Sequence, residues 1–227
     1  MKCKKLFLGL FLSVFVVSCQ SNKAGTDLPV SGMPEKTYSI DELVKASQFN
    51  LKVSASTLIV TVIKDTSIPV KGSLIFKAGT VDLKGANPTA QVIVDMTSFD
   101  SGLPLRNDRV TEYFFRTQNS GMDTATFSLS SLPETFIATL REKKLVTDFP
   151  LTGELTFNGQ TQSITGTFTA SFDEQGTLAL KSTKPITIGI AAWGLSENLK
   201  AINLICQHAN LDDAVSVDVD LHFIPAQ

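Results

Sequence analysis

Hydrophobic and polar residues alternate along most of the chain from Leu58 onward. The pattern is clearest in residues 149–157 and 164–172, where apolar residues or glycine occupy every second position and mostly threonine and other polar residues lie between them. A period of two predicts β-strands with one buried face and one exposed face. Asn158-Gly159 follows the first of these segments and predicts a tight hairpin, because both residues tolerate the positive φ angles of a type I′ turn.

The same alternation predicts further strands on both sides of this hairpin. They cover residues 70–77, 90–96, 125–129, 136–140, 178–181, 186–190 and 215–223. Eight to ten antiparallel strands in sequential hairpins are typical of an up-and-down β-barrel or a β-sandwich. Helical spacing predicts two interruptions, one over 106–115 and one from Ser196, as the N-cap, to about Gln207.

The N-terminus follows a different pattern. Lysines within residues 1–5 precede a short apolar run, Leu6 to Val17, which is typical of an export signal and too short to cross a membrane. Val16-Val17-Ser18-Cys19 resembles the bacterial lipobox, which implies cleavage before Cys19 and lipidation of its sulfur. We therefore predict a lipoprotein signal peptide in 1–18, a flexible tether in 19–36, and one β domain over 37–227.

The net charge and the reactive residues disfavour several classes of function. Removal of the leader takes three lysines and leaves 17 basic against 22 acidic residues, a net charge of −5, which disfavours nucleic acid as a partner. His208 and His222 have no second ligand at metal-binding spacing, so no metal site is predicted. The common catalytic and nucleotide-binding motifs are missing from the sequence, and we expect no enzyme. Cys206 is predicted to be a buried, inert thiol.

The interior of the predicted barrel has two interpretations. Twelve of the fifteen phenylalanines lie beyond the leader, and several share a strand face with glycine. Such glycines include Gly72, Gly153 and Gly166. Small inward residues leave volume for one slender ligand, but glycine also lets the strands of a solid barrel bend. The residues alone leave both possibilities open.

Residues 106–110, Arg-Asn-Asp-Arg-Val, followed by Phe114-Phe115, resemble the R-[DN]-x-H-L-x-x-x-x-F-F signature of the YceI-like family of polyisoprenoid-binding proteins. Residues 153–161 are similar to the family's G-x-L-T-[LIF]-x-G-x-T hairpin. The resemblance covers roughly residues 37–224, and Arg109 stands where the family has histidine. From the residues themselves, the cluster at 106–109 predicts the solvated start of a helix that acts as a lid or plug rather than a ligand contact.

The resemblance implies a lipocalin-like antiparallel barrel of about eight strands with one or two short helices. Its apolar channel would hold the tail of a polyprenyl lipid or quinone, with no catalytic residue and no other cofactor. Burial of each methylene contributes about 0.8 kcal/mol, so hydrocarbon alone can drive binding. On this basis we expect the channel walls to include Phe76, Phe127, Leu155, Phe157, Phe168 and Phe172, with Phe114 and Phe115 at one mouth.

We therefore hypothesise a lipoprotein of the bacterial cell envelope, facing the periplasm or the cell surface, that is held at the membrane by Cys19 and binds a polyisoprenoid or quinone tail. The alternative is a structural or adhesive envelope module with a filled barrel that binds a protein through its loops. Large residues in place of Gly72, Gly153 or Gly166 are expected to abolish lipid uptake in the first case and to destabilise the fold in the second.

Overall fold

Antiparallel β-strands make up most of the chain in the computed structural model, which describes residues 48–84, 86–143, 145–207 and 210–226. The strands are β1 (Gln48–Leu51), β2 (Thr57–Lys64), β3 (Ile68–Asp82), β4 (Thr89–Asp100), β5 (Thr124–Leu129), β6 (Leu145–Phe157), β7 (Gln160–Phe172), β8 (Leu178–Ser182), β9 (Ile186–Gly189) and β10 (Leu211–Pro225). The signal peptide, Cys19, the tether, the start of the predicted domain and His208 lie outside the described residues.

The strands close into one ring. β2 to β8 pair in chain order, and β10 closes the ring by pairing with both β2 and β8. β1 shares the ring position of β2: it precedes β2 in the chain and also pairs with β3 and β10. β9 likewise follows β8 in the same position and pairs with β10. Ten strands therefore occupy eight positions. The predicted antiparallel barrel is confirmed, and the sandwich arrangement is excluded because the sheet closes on itself.

The Asn158-Gly159 hairpin forms as predicted. Asn158 has a φ of 51° and Gly159 a φ of 67°, the positive angles that this turn requires. Along the two strands that it joins, Leu151 is buried while the Thr152 and Thr165 hydroxyls form a 2.8 Å hydrogen bond. The alternation along β6 and β7 therefore separates an apolar inner face from a threonine-rich outer face.

Among the described residues, three short α-helices interrupt the strands: α1 (Pro104–Arg109), α2 (Glu134–Lys143) and α3 (Ser196–Cys206). A π-helical segment, Val110–Phe115, continues α1. The predicted N-cap is wrong, because Leu195 holds that position and makes no side-chain capping bond. The buried side chain of Leu195 packs at the start of α3, where a serine cap was predicted. Within the described residues, no helix has both the length and the apolarity needed to cross a membrane.

The segment around Phe136 was predicted as a strand and is helix α2. Phe136, Ile137 and Leu140 are buried, whereas Ala138 is exposed. A strand would place Phe136, Ala138 and Leu140 on one face, but the observed burial at i, i+1 and i+4 is that of a helix. The strand prediction failed because Phe136 and Leu140 satisfy both periods.

The interior of the barrel is filled at one end, which we call the closed end. There Phe49 of β1, Phe223 of β10 and Leu140 of α2 are each at most 2% exposed. β1 pairs with the last residues of β3, whereas α1 follows Asp100, which lies beside Ser73 near the start of β3. β1 and α1 therefore lie at opposite ends of the ring. The alternation noted from Leu58 onward covers β2, but the first strand assigned from the sequence was 70–77, so β1 was missed and β2 was not delimited.

Candidate functional site

A cavity of about 690 Å³ lies inside the barrel on the side of α1. Its wall is almost entirely apolar and comes from the inward positions of β2 to β10, such as Val60 and Val62 on β2, between which Thr61 points outward. The volume falls within the range of about 300–1,000 Å³ that is usual for ligand-binding cavities. Leu103 and Leu105 also line the cavity and are more than half exposed, so the cavity opens beside α1.

Most of the residues expected at the channel wall line this cavity. They are Phe76, Phe114, Phe115, Phe127, Leu155, Phe157 and Phe168. Phe172 does not line it: its ring packs 5.7 Å from that of Phe49 at the closed end. Phe172 lies four residues beyond Phe168 along β7, where packed side chains already fill the interior. Contact between any of these residues and a ligand stays a prediction.

Aromatic rings occupy the space beside the three inward glycines, whose role the residues alone had left open between leaving volume for a ligand and letting the strands bend. A β-carbon at each would lie within 3 Å of an aromatic ring: 2.3 Å from Phe99 at Gly72, 2.5 Å from Phe127 at Gly153, and 2.7 Å from Phe168 at Gly166. Each glycine therefore accommodates a ring against the strand backbone. The rings lie close to the strand backbone at these positions, and Gly72 and Gly166 themselves still line the cavity.

Aromatic side chains from the π-helical segment cover part of the open end. The Phe115 ring centroid lies 6.1 Å from that of Phe99 and 6.0 Å from that of Phe157, both in edge-to-face geometry, which is favourable for aromatic pairs. Asn198 of α3, itself buried, donates a 2.6 Å hydrogen bond from Nδ2 to the carbonyl of Phe114. This bond joins α3 to the π-helical segment, so the two cover the open end together.

A polar anchor fixes the start of α1. Asp100 Oδ1 accepts hydrogen bonds of 2.8 Å from the Gly102 backbone and from the Asn107 amide, while Asn107 Oδ1 accepts from the Ser101 backbone and hydroxyl. The Gly102 N–H, followed by the Asn107 amide, lowers the pKa of Asp100 below its usual value. The sequence singled out Asn107 within its cluster, and its role here is to hold the helix.

Three positively charged residues line the cavity near its opening, namely Lys64, Arg106 and Arg109. The two arginines of the cluster therefore border the cavity, whereas the sequence predicted a solvated lid or plug without ligand contact. In the described part of the chain, Arg109 forms no ion pair with Glu112, and its Nη1 lies 3.7 Å from Cys206 Sγ. Cys206 also lines the cavity and is half-buried, less than the buried thiol that the sequence predicted.

The sequence analysis missed Trp193, which lines the cavity and is 3% exposed. Its backbone carbonyl accepts a 2.7 Å hydrogen bond from Asn158 Nδ2, so the hairpin turn holds it beside the opening. Its Nε1 is buried and has no hydrogen-bond partner among the described residues. Two signals were available in the sequence: it is the single tryptophan of the chain, and Ala192-Trp193-Gly194 weakly resembles a family motif.

Titratable groups elsewhere in the described part of the chain were compared with known types of site. His222 Nε2 lies 3.1 Å from Asp220 Oδ1, and neither residue lines the cavity. Across the described ranges, no group of three or more His, Cys, Asp and Glu side chains is arranged to hold a metal ion.

The fold and the cavity define an antiparallel β-barrel protein with an internal apolar ligand cavity. A family profile described as "YceI-like domain" matches residues 38–223, and the chain belongs to this family. The resemblance seen in the sequence is thereby confirmed. No curated protein matches the chain significantly.

Two solved structures are similar to the chain. The first is a polyisoprenoid-binding domain from Saccharophagus degradans, implicated in plant cell wall breakdown, with a TM-score of 0.66, 18% sequence identity, and coverage of 78% of this chain and 98% of that one. The second is BcnA from Burkholderia cenocepacia, with a TM-score of 0.57, 20% identity, and coverage of 76% and 98%. At these identities the likeness establishes the shared fold.

Proposed function

We propose that the protein binds a long apolar lipid, a polyisoprenoid or the tail of a quinone, inside the barrel. The observation that carries the proposal is the cavity of about 690 Å³ with its nearly continuous hydrocarbon wall. The family match and the polyisoprenoid-binding domain with the same fold support an isoprenoid chain as the ligand.

Burial of hydrocarbon supplies the free energy of binding. Each methylene removed from water contributes about 0.8 kcal/mol, so an enclosed chain of a few isoprene units gains several kcal/mol before the entropic cost of association is subtracted. Because β1 and α2 fill the closed end, the chain enters tail first beside α1. Its head then remains near Lys64 and the two arginines.

The proposal includes no chemical step. Within the described residues, the cavity wall contains no histidine, carboxylate or hydroxyl side chain that would act as a general base, and Lys64 and the arginines lie at its opening. We infer a binding or carrier role for the domain.

We further propose that the protein is an envelope lipoprotein anchored through Cys19. This rests on the lipobox-like Val16-Val17-Ser18-Cys19 sequence after a short apolar run. The test is expression of Cys19→Ser beside the natural chain with a labelled fatty acid and fractionation of the cells. Label and membrane association that persist in the variant would contradict the anchor.

Native mass spectrometry of the protein, purified from its own cells without delipidation, tests the lipid-binding proposal. The expected result is a bound mass that extracts into organic solvent and fragments as an isoprenoid. Delipidated protein is then titrated with geranylgeraniol and a quinone while the emission of Trp193, the only tryptophan, is followed. A ligand-free protein without affinity for either compound would overturn the proposal and favour an adhesive or structural role.

A further inference from the structure

We propose that helix α2 limits the length of the lipid tail that the barrel accepts, because it closes a second, smaller cavity that receives the tip of the tail. This space, which we call the end chamber, has a volume of about 50 Å³. Its lining includes Ala90 of β4, Leu132 just before α2, Phe136 of α2 and Phe223 of β10. The inference rests on the proposed function and specifies which tail lengths are preferred.

The end chamber directly adjoins the main cavity. Six residues line both spaces, namely Val92, Phe127, Leu129, Leu151, Leu180 and Leu221. They come from β4, β5, β6, β8 and β10 and form a ring of apolar side chains between the two spaces, which we call the neck. Because side chains rather than backbone form the neck, a change of leucine rotamers can join the two spaces when a tail enters.

The end chamber suits hydrocarbon better than water. Its lining is apolar except for Gln91, which is exposed, whereas a buried water needs about two to four polar partners. One water-sized group needs about 10–15 Å³ of such space, so the chamber admits roughly three to five groups of that size, comparable to the branched end of an isoprenoid tail. An empty apolar space forfeits dispersion contacts, and a tail tip restores them.

Helix α2 stands where the wall of strands is incomplete. β6 has 13 residues, but in the described structure β5 pairs with it over residues 154–156 only. On one side, the ring of Phe136 packs edge-to-face on Phe149 of β6, with 5.3 Å between the centroids. On the other side, the Leu132 N–H donates a 2.7 Å hydrogen bond to the carbonyl of Pro88, just before β4. The helix therefore covers the interval between β4 and β6 and supplies the floor of the end chamber.

A floor at this position selects tails by length. A tail that ends before the neck leaves the end chamber empty, so the contacts with Phe136 and Phe223 are not made. A tail that is too long to fit leaves carbons exposed to water and loses the free energy of their burial. Binding from a micelle, which shields every tail completely, should therefore be strongest at the length that fills both spaces.

The test lets tails of different length compete for one protein. The full chain, delipidated, is incubated with an equimolar mixture of isoprenols from geraniol to hexaprenol in detergent micelles, and the bound species are identified by native mass spectrometry. All the ligands share one head group, so the bound distribution reports the fit of the tail. We expect one preferred length, with the next longer homologue bound about tenfold less or weaker still, because an additional isoprene unit remains in water.

Variants assign the preferred length to the end chamber. Ala90→Leu fills the chamber without changing the main cavity, since Ala90 lines only the chamber, and it is expected to shift the preference to the next shorter homologue. Ala138→Leu is the matched control, because it makes the same change at an exposed position of α2 and should leave the preferred length unchanged. Phe136→Leu enlarges the chamber and should shift the preference to longer tails, which provides the test if Ala90→Leu does not fold.

The outcomes separate this inference from the proposed function. The same preferred length in Ala90→Leu and in the natural chain would overturn the role of the end chamber while leaving lipid binding intact. A natural chain that binds all the isoprenols equally would show that the floor does not select, and would overturn the inference as well. If no isoprenol of any length is bound, the proposed function fails and the length preference fails with it.

Discussion

The ring of Phe99 occupies the space that a side chain at Gly72 would fill. Phe99 lies on β4 and Gly72 on the neighbouring strand β3. A β-carbon at Gly72 would be 2.3 Å from Phe99 Cε2 and 2.5 Å from Phe99 Cζ. Real β-carbons do not make such contacts, so either the ring or the strand must move to admit one. Because Phe99 also lines the cavity, a movement of its ring would change both the packing of the barrel wall and the shape of the cavity.

Gly72→Ala is therefore expected to destabilise the fold by about 1–3 kcal/mol, the usual effect of overpacking. Urea denaturation followed by circular dichroism measures the change. Gly189→Ala is the matched control, since no atom lies within 4 Å of a β-carbon there. Combination of Gly72→Ala with Phe99→Leu should recover part of the loss, and failure to recover any would show that the ring is not the obstacle.

Val60→Phe tests whether the cavity is the binding site. Val60 lines the cavity between the neighbouring inward residues Gly72 of β3 and Val217 of β10. A larger ring at this position takes volume from the ligand. Exclusion of two or three methylenes should weaken isoprenoid binding by about 2 kcal/mol, or roughly 30-fold. Thr61→Phe, on the outer face of the same strand, is the control. Equal affinities of the two variants would contradict a site inside the barrel.

The anchor between Asp100 and Asn107 predicts a dependence on pH. The Gly102 N–H and the Asn107 amide lower the pKa of Asp100 in the folded state. The ionised carboxylate therefore stabilises the fold above its ordinary pKa of 3.8, and this contribution is lost as the pH falls through the lower folded value. Asp100→Asn should consequently lower the free energy of unfolding more at pH 7 than at pH 3.

The control for this measurement is Asp108→Asn, an exposed position on α1 whose side chain makes no hydrogen bond within the described residues. Its effect should be small at both pH values. An effect of Asp100→Asn that is the same at pH 3 and pH 7 would count against a charge-dependent anchor.

Removal of the Asn198 amide tests the link between α3 and the π-helical segment. Asn198→Ala leaves the Phe114 carbonyl without its 2.6 Å partner in a partly buried place, which should reduce stability by about 1–3 kcal/mol. Glu197→Ala on the same helix breaks an exposed pair with Lys200 and should change stability by less than about 1 kcal/mol. Hydrogen exchange of residues 110–115 should increase in the first variant only.

The sequence predicted those parts of the fold that depend on local chemistry. Alternation identified most strands, and Asn158-Gly159 determined a hairpin because positive φ is a property of the two residues themselves. β1 was missed because four residues carry too little periodicity and are held by pairing with β3 and β10, which lie far along the chain. α2 was misassigned because two of its apolar residues fit either period.

The site was less predictable than the fold because it depends on contacts across strands. The sequence does not show that Phe99 fills the space at Gly72, 27 positions earlier, or that the interior is already packed around Phe172. The position of Arg106 and Arg109 at the cavity likewise depends on the placement of α1, whose Asn107 is bonded to Asp100. The residue types were visible in the sequence, but their orientation toward a common space was not.

The closed end built from β1 and α2 has a consequence for ligand exchange. A chain inside a blind barrel must leave by the opening through which it entered, so loading and release follow one path in opposite directions. The depth of the barrel then limits how much of any tail is shielded from water, and a longer tail keeps its surplus carbons outside, next to the head. Under the proposed carrier function, only the end that carries α1 would need to approach the donor or acceptor of the lipid.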